Sequence, residues 1–542
     1  MGLKKIQRTA QTALGLSAAA LLLSAGAASA ETLRASTSSS SAQASEASAA
    51  TAISANGRYF AFSSSAPNLV AGDSNGAPDV FVKDLQTGQL TCVSTPSGSS
   101  RPAGVPGDSA SFGANAISAD GKYVAFVSRS STLTANDTNN SLDVFVKDTE
   151  FGTTRLVSRG LNNTPGNSHS DQPSISDSGR FVEFNSDASN LVANDNNHAQ
   201  DVFVRDLYEG GMQRASTATG GREAQQLHPQ GVTQFLASRT AISGDGKIAV
   251  FATSLGNVVE GEEGGSLSVY AKDLKTDVTS LVARASGSPA TDFDGSHIAF
   301  ASPGDVNLFD VTVADRSQGT TRLVSSDSRG RRGNRASGAP SISSDGRYVA
   351  FESFADNLTN DDINLTSDVF VKDLQTRGAA RIGPAGGGKA AGETGQPAIS
   401  RSGEFIAFDS TATSLVASDS NGVRDTFRAT RPATPAAPSL GIDRSNPTSV
   451  TLPCSVTQNC PRDVREPIYV PWPREFEDPR AWPYKTLGLR KNGTVKFSLT
   501  SGSELPSRGT LALRSGRRQV GKETVNFAPK QETTRSEEHT SE

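Results

Sequence analysis

The chain has 542 residues with a formal net charge of −4, 35% hydrophobic and 20% charged residues, 51 Gly and 26 Pro. This balance excludes a disordered polyelectrolyte and a polytopic membrane protein, and the supply of turn formers favours many short elements over a few long ones. So modest an apolar fraction suits a core spread over repeated thin layers, each needing only a few inward side chains.

Residues 1–30 run from Lys4, Lys5 and Arg8 through ALGLSAAALLLSAGAA to Ala28-Ser29-Ala30. That is the order of charged region, apolar region and small-residue cleavage site in a signal peptide. The apolar run is shorter than the roughly 20 residues that span a bilayer. A secreted or cell-envelope (periplasmic-side) protein is therefore expected, with no transmembrane segment after cleavage.

From residue 52 onward one signature recurs seven times: AISANGRYFAFSS from Ala52, AISADGKYVAFVS from Ala116, SISDSGRFVEFNS from Ser174, AISGDGKIAVFAT from Ala241, TDFDGSHIAFAS from Thr291, SISSDGRYVAFES from Ser341 and AISRSGEFIAFDS from Ala398. Each copy reads as a short strand ending in Ile-Ser or its equivalent, a polar turn with Gly, and an alternating strand that returns as its hairpin partner. The turn glycines lie at Gly57, Gly121, Gly179, Gly246, Gly295, Gly346 and Gly403. Their spacing suits a four-stranded blade with variable loops. A third strand, DVFVKD or DVFVRD, begins at Asp79, Asp143, Asp201 and Asp368, and a TRLVS-like fourth strand follows. Copy four has Ser268-Val269-Tyr270 in place of the third-strand motif, and copy five shows none in recognisable form, which leaves six regular blades plus an irregular insertion as the alternative count.

A four-stranded sheet with two apolar faces must be covered by its neighbours, in a closed ring or an open stack. The ends of the array favour the ring. The last copy passes through Asp425-Thr426-Phe427-Arg428 into Pro/Ala-rich sequence without a fourth strand, whereas Thr32-Leu33-Arg34-Ala35-Ser36, ahead of the first copy, matches the missing one. The N-terminal strand is expected to close the last blade and satisfy its open edge.

These stretches, S-x-DG-K/R-Y-V-A-F-x-S followed by D-V-F-V-K-D, resemble the TolB-like, or WD-like, β-propeller repeat family over about 400 residues. The fold class expected is all-β: a seven-bladed β-propeller over 31–430, a linker at 431–440 and a small immunoglobulin-like β domain over 441–534. In that last region Val450–Cys454 and the stretches from Thr494 and Gly509 alternate like strands. It looks like the basic β domains that follow propellers in some actinobacterial exported proteins. Residues 535–542, RSEEHTSE, match the translation of a common sequencing adapter, which removes His539 from functional consideration.

Between residues 31 and 430 there are 32 Lys and Arg against 44 Asp and Glu, and between 431 and 534 there are 16 against 9. The positive segment is suited to acidic envelope polymer, to the acidic ring itself or to a plain solvated surface. The cluster Arg329, Arg331, Arg332 and Arg335 lacks interleaved aromatics, so nucleic acid is not an expected partner.

Five copies carry D-x-N-x-x-x-D: Asp73/Asn75/Asp79, Asp137/Asn139/Asp143, Asp195/Asn197/Asp201, Asp362/Asn364/Asp368 and Asp419/Asn421/Asp425. Oxygen ligands at short spacing suit a hard cation such as calcium. The spacing is not that of an EF-hand, however, and the same residues tie down turns by bonding to backbone N–H groups, which is the favoured reading. No other cofactor is expected.

Catalytic groups are not apparent. The α/β-hydrolase that follows a similar propeller in prolyl oligopeptidases needs G-x-S-x-G with a later Asp and His, and no such elbow occurs after Ser400. His169, His198, His228 and His297 show no metal-ligand spacing. Cys92 aligns with Leu156 and Leu323 and is expected to be a buried thiol, while Cys454 and Cys460, flanked by Pro453 and Pro461, are expected to form a disulfide.

The resemblance implies a non-catalytic exported scaffold, expected to be monomeric, that binds a protein or envelope component. Its binding rim would comprise the fourth-to-first-strand loops at Thr95–Asn115, Arg159–Pro173, Thr217–Thr240 and Ser326–Pro340. Two alternatives stand beside it: a hydrolase acting on polysaccharide or peptide at the central channel, and a purely structural, calcium-stabilised envelope module.

Overall fold

A computed structural model describes residues 31–99, 116–225, 240–262, 264–285, 287–304, 308–362, 364, 366–382 and 392–434, together with strand segments at 441–442, 449–451, 494–496, 507–515 and 518–527. The signal-peptide reading, the Cys454–Cys460 pairing, His228 and the adapter match lie outside the described residues.

Seven antiparallel sheets follow one another along the chain. Blade 1 comprises Ser48–Ile53, Tyr59–Ser64, Asp79–Asp84 and Leu90–Cys92. Blade 2 has Tyr123–Ser128, Asp143–Asp148 and Thr153–Leu156, and among the described residues its first strand contributes a bridge between Ile117 and Val124. Blades 3, 4, 5 and 6 open with Ser170–Ile175, Thr240–Ile242, Gly287–Thr291 and Ser337–Ile342. Blade 7 takes three strands from Thr394–Ile399, Phe405–Ser410 and Asp425–Thr430. Its fourth is Thr32–Arg34, which pairs antiparallel with Asp425–Thr430 so that Leu33 faces Arg428. The expected clasp is thus present, and the edge that blade 7 would expose is paired.

Blade 5 corrects the sequence reading. Its third strand is Phe309–Asp315, in which Asp310-Val311-Thr312-Val313-Ala314-Asp315 holds the D-V-x-V-x-D register. The pattern is masked because Thr312 replaces a phenylalanine. In six blades an aromatic of the second strand stacks on one of the third, as in Phe62–Phe81 at 5.6 Å and Phe126–Phe145 at 5.7 Å between ring centroids. In blade 5 Phe300 faces Thr312 instead. Each fully buried phenylalanine removed from water contributes about 1.5–3 kcal/mol, so the stack accounts for much of each blade's cohesion.

The turns after the first strands close the ring in a second way. Backbone N–H groups donate from blade to blade: Ala55 to Ala119 O, Ala119 to Asp177 O, Asp177 to Gly244 O, Asp245 to Phe293 O, Phe293 to Ser344 O, Ser344 to Arg401 O, and Ser402 back to Ala55 O, all within 2.8–3.2 Å. The sequence of these turns explains their shape. Ser118 Oγ donates to Asp120 Oδ1 at 2.7 Å and accepts the Tyr123 N–H at 3.0 Å, which folds the turn on its own side chains. Gly121 adopts φ +79°, and a Cβ there would lie 2.2 Å from the Tyr59 ring of the preceding blade. The turn needs glycine both for its backbone and for the ring packed over it.

Apart from one three-residue turn of 3-10 helix at Leu161–Asn163, the described elements are strands. No described helix is long and apolar enough to cross a membrane. After the ring, Gly441–Ile442, Ser449–Thr451 and Thr494–Lys496 form one antiparallel sheet, and Ser507–Ser515 pairs with Arg518–Phe527. Ser449–Thr451, Thr494–Lys496 and Ser507–Ser515 overlap the stretches that alternate, Gly441–Ile442 and Arg518–Phe527 were not singled out, and a sandwich arrangement lies outside the described residues.

Candidate functional site

Because strands alternate in direction, one rim of the ring carries the turns after first and third strands and the other carries the longer loops after second and fourth strands. The D-x-N-x-x-x-D segments lie on this loop rim. In each, the Asn side-chain oxygen accepts a backbone N–H two residues on: Ala77 at 3.0 Å from Asn75, Ser141 at 2.9 Å from Asn139, Ala199 at 3.0 Å from Asn197, Thr366 at 3.1 Å from Asn364 and Val423 at 3.4 Å from Asn421. The Asn amide of blades 1, 3 and 7 donates to the last aspartate, from Asn75 to Asp79 at 3.0 Å, Asn197 to Asp201 at 2.9 Å and Asn421 to Asp425 at 2.9 Å. In blades 2, 3 and 7 the amide reaches the neighbouring fourth-to-first-strand loop, from Asn139 to Gly166 O at 2.7 Å, from Asn197 to Ala224 O at 3.1 Å and from Asn421 to Ala44 O at 3.0 Å. In all five segments the asparagine thus folds a turn, and in blades 2, 3 and 7 its amide ties that turn to the adjacent loop.

A serine that the motif search did not connect to them completes the device. Ser94, Ser158, Ser216 and Ser36, each just beyond a fourth strand, donate to Asp79, Asp143, Asp201 and Asp425. The same oxygens accept the N–H of Val80, Val144, Val202 and Thr426. Blade 5, without the loop motif, keeps the serine contact between Ser325 and Asp310 at 2.7 Å. The signal was present in the sequence as the recurring Ser of TRLVS.

Two residues before that serine the blades divide. In blade 3 Arg214 lies 2.9 Å from Asp195 and 3.3 Å from Asp201; in blade 7 Arg34 lies 3.3 Å from Asp419 and 3.5 Å from Asp425. In blade 6, which has no such serine, Arg381 reaches Asp368 at 3.4 Å and Asp361 at 3.8 Å, with Asp362 also in its field. An arginine between two aspartates already supplies the positive charge that a divalent ion would bring. Blades 1 and 2 carry Cys92 and Leu156 there. Burial pushes the Asp143 carboxyl of blade 2 up to about 7, and it raises Asp73 of blade 1 more modestly. Among the described residues no three His, Cys, Asp or Glu side chains gather as metal ligands would.

The remaining acidic groups near the first strands differ in how they are satisfied. Asp409 accepts from Arg424 at 2.5 Å, and Arg424 also lies 3.2 Å from Glu393. Glu352 accepts the Gln396 N–H at 3.4 Å. Burial lifts Asp171 to about 6, with Asp187 adding to the shift. Glu183, in a position where other blades have Ala or Val, is fully buried, and burial holds its carboxyl far above the usual range. His297 pairs with Asp292 at 2.7 Å, which raises its pKa, and His169 accepts the Leu142 N–H at 3.3 Å. Arg331 and Arg332 pair with Asp327 and Asp310 at 2.6 and 2.9 Å, so half of the arginine cluster is structural.

The buried basic residue of DVFVKD was not singled out from sequence, yet it joins the blades. Lys83 donates to Thr37 O and Ser38 O, Lys147 to Thr95 O and Pro96 O, Lys272 to Thr217 O and Ala218 O, and Lys372 to Ser326 O and Asp327 O. Each acceptor lies just past the fourth strand of the preceding blade. The ammonium is worth burying because several carbonyls replace its water.

Seven sheets, a ring of turn-to-turn hydrogen bonds and an N-terminal fourth strand define a closed seven-bladed β-propeller. Among solved structures the chain is similar to TolB from Acinetobacter baumannii (14% identity over 51% of this chain, TM-score 0.31), and it spans 54% of that protein's chain. It is also similar to the β-propeller domain of the Trilobed protease from Pyrococcus furiosus (11% identity, 71% of this chain and 95% of that one, TM-score 0.42). A third likeness is to oligogalacturonate lyase from Vibrio parahaemolyticus (11% identity, 74% of this chain and 97% of that one, TM-score 0.40). Likenesses this remote carry no activity across. No protein-family model and no curated protein sequence matches the chain.

Proposed function

We propose that the chain is a non-catalytic, exported propeller scaffold that binds a protein or cell-envelope component through its loop rim. The observation that carries this reading is the use of the rim's aspartates. The last aspartates of the D-x-N-x-x-x-D segments are held by serine in blades 1, 2, 3 and 7 and by arginine in blade 6, as parts of the framework, while the loops they support differ from blade to blade. A rim of varied loops on a rigid repeated base presents a surface for recognition. The signal-peptide pattern supports export.

The test is capture from envelope extracts with the chain lacking residues 1–30. Arg222→Glu with Arg329→Glu, both on exposed loop-rim positions, is expected to abolish capture. Gln86→Arg with Lys275→Glu, on exposed turns of the opposite rim, is expected to leave it intact. Capture lost only with the second pair, or turnover of polysaccharide or peptide by the purified chain, would overturn the reading.

A further inference from the structure

Where blades 1, 2, 4 and 6 bury a lysine, blade 3 buries an arginine. Its buried basic residue is Arg205, only 5% exposed. Its guanidinium donates to Val157 O at 3.3 Å, to Gly210 O at 2.8 Å and to Arg159 O. A guanidinium has five N–H groups, so these three carbonyls leave donors unspent. Lys272 at the equivalent place has a carboxylate, Asp277, at 2.6 Å. Arg205 has none acting on it, and the charged group beside it is another arginine, Arg159.

The two arginines line an open cleft of about 460 Å³ between blades 2 and 3. Gly160, Asn162 and Asn163 form one side of it, and Leu191, Val192 and Met212 form another. Arg159 donates to Asn163 Oδ1, and both Asn162 and Asn163 hold positive φ, 58° and 64°, which curls the loop along the cleft. Two like charges at one partly desolvated place cost free energy unless an anion joins them. Guanidinium groups offer parallel N–H donors that match a carboxylate or a phosphate.

We propose that this cleft is a binding site for a small organic anion, a carboxylate or phosphate carrying a short apolar group, with Arg159 and Arg205 taking the charge and Leu191, Val192 and Met212 taking the apolar part. The site does not depend on rim binding, since a small anion fits whether or not the rim holds a macromolecule.

Calorimetric titration of the chain lacking residues 1–30 with hexanoate, inorganic phosphate and hexanol tests it. Saturable one-to-one binding of hexanoate or phosphate is expected, with none of hexanol; the tighter of the two anions identifies the head group. Arg159→Ala is expected to weaken binding about tenfold. Arg205→Lys restores the residue of blades 1, 2, 4 and 6, and it is expected to keep the melting temperature while weakening binding several-fold. Absence of saturable binding by both anions, or affinity unchanged by Arg159→Ala, would overturn the proposal.

Discussion

Ser36 and Asp425 are 389 residues apart in the chain and 2.5 Å apart in the fold, where the Ser36 hydroxyl donates to Asp425 Oδ1 and accepts the N–H of Thr426. With Arg34 beside Asp419 and Asp425, the N-terminal strand brings blade 7 the same serine and arginine that Ser216 and Arg214 bring blade 3. Removing residues 31–38 should therefore lower both the melting temperature and the steepness of unfolding, because an edge strand and two buried side-chain contacts disappear together. Ser36→Ala alone should cost about 1–3 kcal/mol in urea denaturation, the range for a hydrogen bond to a buried carboxylate. A truncated chain that melts like the parent would refute the clasp's role.

The buried lysines make a second prediction. Lys147→Met should destabilise the ring by about 1–3 kcal/mol, since it removes the charged donor from Thr95 O, Pro96 O and two threonine hydroxyls and leaves Thr95 O only the Thr154 hydroxyl and Pro96 O only the Ser99 N–H. Lys147→Arg should cost far less, because Arg205 shows that a guanidinium fits this kind of position. Equal losses for the two variants, measured by chemical denaturation, would mean that side-chain volume and not hydrogen bonding governs the site.

Carboxyls with raised pKa values set the pH dependence. Burial puts Asp143 at about 7 and Asp171, Asp201 and Asp362 at about 6. The folded state therefore holds protons that the unfolded chain, near 4, has already released. Stability from these groups is complete below the unfolded value and is lost as pH rises through 6 and 7. Asp84, held low by Arg58, acts in the opposite sense but only at lower pH. Melting temperature should thus fall between about pH 5 and about pH 8, and Asp143→Asn should flatten that slope. A rise across the window would contradict the assignment.

Cysteine chemistry follows from burial. Cys92 is 4% exposed, and burial, with Asp79 nearby, drives its thiol far above the ordinary range. Iodoacetamide should leave it unmodified in the native chain and label it once the chain is denatured. Non-reducing peptide mapping is expected to find Cys454 linked to Cys460. A bridge or rapid labelling at Cys92 would show that its strand is misplaced.

The sequence by itself determined the repeat and the closure, and it favoured seven blades. Those features rest on local rules: a glycine turn with positive φ, alternation with period two, and a match between Thr32–Ser36 and the strand missing after Arg428. The position of Cys92 followed from the same alignment. Tertiary structure alone decided what the polar residues do. Whether Asp425 is a ligand or a framework group depends on Ser36 at the far end of the chain, and the burial of Lys147 depends on carbonyls of the preceding blade. Blade 5 escaped the motif because one stacked aromatic was replaced while the backbone register persisted. A pattern search reads side chains in order along the chain, whereas charge, burial and hydrogen bonding are settled by neighbours that only folding brings together. For that reason the cleft at Arg159 and Arg205, made by two blades, left no trace in the sequence.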